Sequence, residues 1–102
     1  MIITKLIIKM TSEVCICIPK INETVTKKFI KTIFNQYNLG PIKKINVVYS
    51  KEKSNKLAFV YFRHLNSSEN STKIKQYLEA DLDFKIMYDF PWFWKCYKAK
   101  DN

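Results

Sequence analysis

Val14 to Ile18 alternates between two kinds of position, with Val14, Ile16 and Ile18 on one side and Cys15 and Cys17 on the other. Successive strand residues point to opposite faces, so this run predicts a strand, and Pro19 is expected to stop it. From Val25 the period becomes helical. Phe29, Ile30, Ile33, Phe34 and Tyr37 form one stripe while Lys27, Lys28 and Lys31 face water, with Thr26 as N-cap and Val25 placed to pack on Ile30. This helix is expected over Thr26 to Asn38, and Gly40, the chain's one glycine, supplies the left-handed turn after it. Ile42 to Tyr49 alternates again, with Ile45, Val47 and Tyr49 against Asn46 and Val48. A polar turn, SKEKSNK, then leads into Asn55 to Phe62, NKLAFVYF. One register of that third strand buries Ala58, Val60 and Phe62 and leaves Leu57, Phe59 and Tyr61 facing away from the core.

After Phe62 a polar stretch, Asn66 to Ser71, precedes a second helix in which Ile74, Tyr77 and Leu78 keep the i, i+3, i+4 spacing. FKIMY reads as half of a short hairpin leading into FWKCYKA, the last strand of the main sheet, although two tryptophans beside Pro91 also suit a packed C-terminal segment. The order strand, helix, strand, strand, helix, strand predicts an α+β fold of the ferredoxin-like βαββαβ kind. It has a four-stranded antiparallel sheet, both helices on one face, and the other face open for binding.

The 102 residues suffice for one domain, placed at 12–100, with 1–11 as an N-terminal arm or extra strand. The opening MIITKLIIKM carries Lys5 and Lys9 and is about half the roughly 20 residues that span a bilayer, so no integral membrane association is expected. With 47% hydrophobic and 15% aromatic residues the chain can build a core, which excludes a disordered basic tail. The net charge of +9 favours a polyanionic partner. Arg63 is the only arginine, and lysine meets phosphate as a point charge where arginine would fork onto a base edge, so the charge argues for affinity rather than groove readout. A plain solvated lysine surface is the competing reading, since an Ile-, Lys- and Asn-rich composition also follows from an A/T-rich coding sequence.

Cys15, Cys17 and Cys96 are an odd set without a secretory signal pattern, which points to a reduced, intracellular protein, in cytoplasm or nucleus. Zinc needs four ligands at one point; Cys96 is expected on the opposite sheet face, and His64, the one histidine, lies past the third strand, so no metal is expected. Catalysis is not expected either. A single glycine allows no phosphate-cradling loop, the acidic residues show no paired arrangement, and PKINET lacks the arginine that an acylphosphatase-like enzyme would need after its first strand. No cofactor is implied.

The third strand resembles the ribonucleoprotein signature of the RNA recognition motif family, basic-Gly-aromatic-Gly/Ala-aromatic-aliphatic-x-aromatic, with Ala58, Phe59, Val60 and Phe62 matching its last five positions around the unspecified Tyr61. VTKKFIKTIF resembles the family's first helix, Gly40-Pro41-Ile42 its lead into the second strand, and WKCYKA its closing strand, with Trp94 and Cys96 in core positions and Lys95 and Tyr97 on the sheet face. The likeness covers Ser12 to Lys100 and departs from the pattern at Lys56 for glycine, and at Leu57 and Cys15 for stacking aromatics. The ending DFPWFWKCYKAK and the Lys/Ile/Asn bias also resemble short proteins of large DNA viruses of protists and algae, which would add the virion as a location.

The resemblance implies non-catalytic binding of single-stranded RNA or DNA on the open sheet face. Phe59, Tyr61, Leu57 and Tyr97 would form the platform, Lys95, Lys56, Lys51 and Lys53 the charge, and Asn46 a polar contact. Two alternatives stand beside it. One is a protein-interaction module of the same fold, favoured by the aliphatic character that Leu57 and Cys15 give the face; the other is a basic structural or packaging component acting by charge alone. Trp92 and Trp94 are expected in core or hairpin packing.

Overall fold

The computed structural model describes residues 14–99. The elements run β1 (Val14–Ile21), α1 (Lys27–Gln36), β2 (Ile42–Ser50), β3 (Asn55–Phe62), α2 (Glu69–Glu79), β4 (Phe84–Asp89) and β5 (Trp92–Lys98). Residues 1–11, expected as an arm or extra strand, lie outside the described residues.

The sheet has five strands in the order β2-β3-β1-β5-β4, and every pairing is antiparallel. The expected four strands are therefore corrected to five. β5 takes the place of the closing strand beside β1, and β4, expected only as a hairpin arm, adds an edge strand through its pairing with β5. Alternation sorts the side chains as expected. Ile16, Ile18, Ala58, Val60, Phe62, Ile45, Trp94 and Cys96 are buried under the helices, joined from β4 by Phe84 and Ile86.

Two irregularities interrupt the regular pairing. Ile18 pairs with Ala58 and Ile21 with Lys56, so β1 spends three residues where β3 spends two. The extra residue at Pro19-Lys20 is a bulge, which tolerates a residue without an N–H inside an inner strand, and β1 passes through Pro19 instead of stopping there. The Asn55 amide donates to the Pro19 carbonyl at 2.8 Å. In β2, Ile42 pairs with Phe62 and Lys44 with Tyr61, which leaves Lys43 as the extra residue. Each bulge lets two apolar residues three positions apart, Ile18 with Ile21 and Ile42 with Ile45, pack toward the same core.

Thr26 caps α1 by accepting from the Phe29 N–H at 3.1 Å, and Val25 and Ile30 are both in the core. The left-handed residue after α1 is Asn38, at φ 54°, not Gly40. Gly40 is needed for two other reasons: its φ of 141° and a backbone approach so close that a Cβ would collide with the His64 carbonyl oxygen. Next to it, the Leu39 carbonyl accepts from the buried Ser71 hydroxyl at 2.7 Å and from the Asn66 N–H at 2.8 Å. Ser68 caps α2, accepting from the Ser71 N–H at 3.2 Å, and its own hydroxyl donates to the Asn38 carbonyl at 2.7 Å. The end of α1 and the start of α2 are thereby fastened together. Phe34 from α1 lies 6.1 Å from Phe62 and 6.3 Å from Trp94 between ring centroids, so this one side chain bridges β3 and β5.

Candidate nucleic-acid interface

The open face is laid out by register. Asn46 on β2 pairs with Phe59 on β3, Phe59 with Cys17 on β1, and Cys17 with Tyr97 on β5. These four side chains form one row across four strands, and paired residues share a face. Lys44, Tyr61 and Cys15 form the next row, and Val48 with Leu57 begins another on the opposite side. Neighbouring strands lie about 4.8 Å apart, so Phe59 and Tyr97 stand roughly 10 Å apart with the small Cys17 side chain between them. The first-strand residue beside Phe59 is thus Cys17, and Cys15, which the resemblance marks as a departure from a stacking aromatic, lies beside Tyr61. Phe59 is half-buried in its row, and Tyr97 is 38% exposed, leaving ring surface open at both ends of the notch.

Lysines accompany the aromatics. Lys44 Nζ lies 4.7 Å from the Tyr61 ring centroid, and Lys95 Nζ lies 5.9 Å from that of Tyr97. Lys95 also pairs with Asp83 at 3.2 Å. The hydrogen bond to Asp83, followed by the influence of Tyr97, pushes the Lys95 ammonium pKa above its ordinary value, so its charge persists at any physiological pH. Burial raises the Cys17 thiol, and the positive charge of Lys53 acts in the opposite direction. Lys53 lies with Lys51 in the exposed turn between β2 and β3.

Lys56 belongs elsewhere. It lies within β3 and not in the loop, shares the parity of Ala58 and Val60, and donates from Nζ to the carbonyls of Glu23 at 2.8 Å and Val25 at 3.3 Å. Its amine holds the β1–α1 connection on the helix side and does not reach the open face. Of the two tryptophans, both expected in core or hairpin packing, Trp94 is buried and stacked on Tyr88 with centroids 4.6 Å apart, while Trp92 is 64% exposed and sits in the β4–β5 hairpin, paired with Asp89. Cys96 is buried, on the face opposite Cys17, and burial pushes its thiol far up. Among the described residues no three His, Cys, Asp or Glu side chains converge as metal ligands. No described helix is long and apolar enough to cross a membrane.

Sequence reading put Cys17 on the open face without giving it a place in the site, and missed Lys44, Lys85, Met87 and Phe93 as open-face residues. Parity from Trp94 and Cys96 would have found Phe93, but placing Lys85 and Met87 needed the pairing of β4 with β5.

Two helices on one face of an antiparallel sheet, with an aromatic, lysine-flanked surface on the other, define an α+β domain of the ferredoxin-like class. The family model described as RNA recognition motif matches residues 16–78, from β1 into the end of α2, and the chain belongs to that family. Domains of this family are generally binding modules without catalytic activity. No curated protein and no solved structure matches the chain.

Proposed function

We propose that the open face binds single-stranded RNA or DNA, with a base stacked on Phe59, a second on Tyr97 across the Cys17 notch, and lysines meeting the intervening phosphates. The observation that carries this reading is the row Asn46, Phe59, Cys17 and Tyr97, which sets a polar contact and two rings in line across four strands. Tyr61 and Leu57 flank Phe59 along β3, and Lys44, Lys51, Lys53 and Lys95 supply charge around the row.

A lysine lying over a ring competes with a base for it, and magnitudes decide the competition. An exposed cation–π contact is worth about 0.5 to 1 kcal/mol, whereas a stacked base is worth about 1 to 3 kcal/mol. The base takes the ring, and the displaced ammonium finds a phosphate beside it. The exposed Lys95–Asp83 pair is a weak restraint of the same kind.

A protein partner is the second reading, supported by the aliphatic row in which Val48, 45% exposed, faces Leu57. Titration of the purified protein with labelled single strands at two salt concentrations tests both. Binding that weakens steeply with salt is the expected result, and no binding at low salt would end the nucleic-acid reading.

A further inference from the structure

On the open face of β4 and β5, Lys85 pairs with Lys95 and Met87 with Phe93. Phe93 is 43% and Met87 44% exposed, and Lys85 Nζ lies 4.6 Å from the Phe93 ring centroid. The arrangement repeats what surrounds Tyr61 and Tyr97: an aromatic ring directed away from the core with an ammonium over it. The opposite face of the same hairpin carries the structural work through Phe84, Ile86 and Trp94. The hairpin is also held still. The Tyr37 hydroxyl donates to the Met87 carbonyl at 2.7 Å, and Tyr88 stacks on Trp94.

Simple cross-strand packing does not account for the pair. Met87 and Phe93 leave much of their surface to water, and directly opposed like charges such as Lys85 and Lys95 are destabilising. Asp83 offsets the charge of Lys95; an anion lying over the pair would offset that of Lys85 as well. Phe93 and Tyr97 are four residues apart on one strand, a separation of roughly 13 Å. A strand of nucleic acid leaving Tyr97 can reach Phe93 by continuing along β5.

We propose that the β4–β5 hairpin continues the binding surface, with Phe93 as a further base-stacking platform and Lys85 as its phosphate contact, so that the domain holds a longer single strand than the row through Phe59 accounts for. The proposal rests on the single-strand reading above. It concerns residues beyond Leu78, where the family match ends.

Oligouridylates of about 4 to 16 nucleotides, titrated against the parent, Phe93→Ala, Lys85→Ala and Phe59→Ala, separate the two claims. The parent should gain affinity with length. Phe93→Ala should bind the shortest strand as the parent does and lose about tenfold on the longest. Lys85→Ala should lower the salt slope by about 0.7 on long strands alone, which decides the matter even if Phe93→Ala proves unstable. Phe59→Ala should weaken every length alike. If the parent binds in a Phe59-dependent way and both hairpin variants keep its length and salt dependence, the hairpin proposal is overturned while the row stands. If the parent binds no strand at low salt, both fall.

Discussion

Lys56 Nζ donates to the Glu23 carbonyl at 2.8 Å, drawing the β1–α1 connection against β3. A second bond reaches the Val25 carbonyl, next to the α1 cap. Removing the ammonium leaves two carbonyls to find water, so Lys56→Ala should cost about 1 to 2 kcal/mol. For a domain of this size that lowers Tm by roughly 5 to 15 °C. The salt slope of nucleic-acid binding should not change. A reduced slope at unchanged Tm would place Lys56 at a phosphate instead.

Phe59→Ala should fold, since its ring lies off the core, and should lose the part of binding that salt does not remove. The expected loss is about 1 to 3 kcal/mol in titrations at high salt, with the slope of affinity against salt left as in the parent. A variant that folds and binds as the parent does would remove stacking at this position and favour the protein-partner reading.

Gly40→Ala combines a backbone angle that side chains rarely adopt with a collision against the His64 carbonyl. Denaturant unfolding should show a loss of about 2 kcal/mol or more. Ser71→Ala is the milder change at the same corner, because the Leu39 carbonyl keeps its bond from the Asn66 N–H. About 1 kcal/mol is expected there.

Cys17 should react slowly with iodoacetamide at neutral pH and faster as pH rises, because burial raises its pKa and leaves less of the nucleophilic thiolate. Lys53→Ala removes a charge that lowers that pKa, so the variant should react more slowly still. Residue-resolved mass spectrometry distinguishes Cys17 from Cys15 and from the buried Cys96. A bound single strand should protect Cys17, whose side chain lies between Phe59 and Tyr97.

Period-two alternation was enough to separate Phe59, Leu57 and Tyr61 from Ala58, Val60 and Phe62, and Tyr97 from Cys96, because each strand keeps strict parity over those residues. It misread Pro19, since a bulge shows in the sequence only as two isoleucines three residues apart. Partners across strands are set by contacts distant in the chain. That is why the register that sets Cys17 beside Phe59 and Cys15 beside Tyr61 was not legible, and why β4 was recognised as a hairpin arm without its place in the sheet. Lys56 looked like one more loop lysine because its acceptors, on Glu23 and Val25, are backbone atoms that composition does not reveal.

β1 lies between β3 and β5, so the first of the described strands acquires its second described neighbour last. During synthesis β1, α1, β2 and β3 can assemble before β5 is available, and the margin of β1 that β5 pairs with waits for that last described strand. During that interval Ile16 and Ile18 lack the wall formed by Trp94 and Cys96, and an exposed strand margin can recruit a neighbouring nascent chain. The time β5 takes to dock therefore bears on the yield of native protein, independently of how stable the finished domain is.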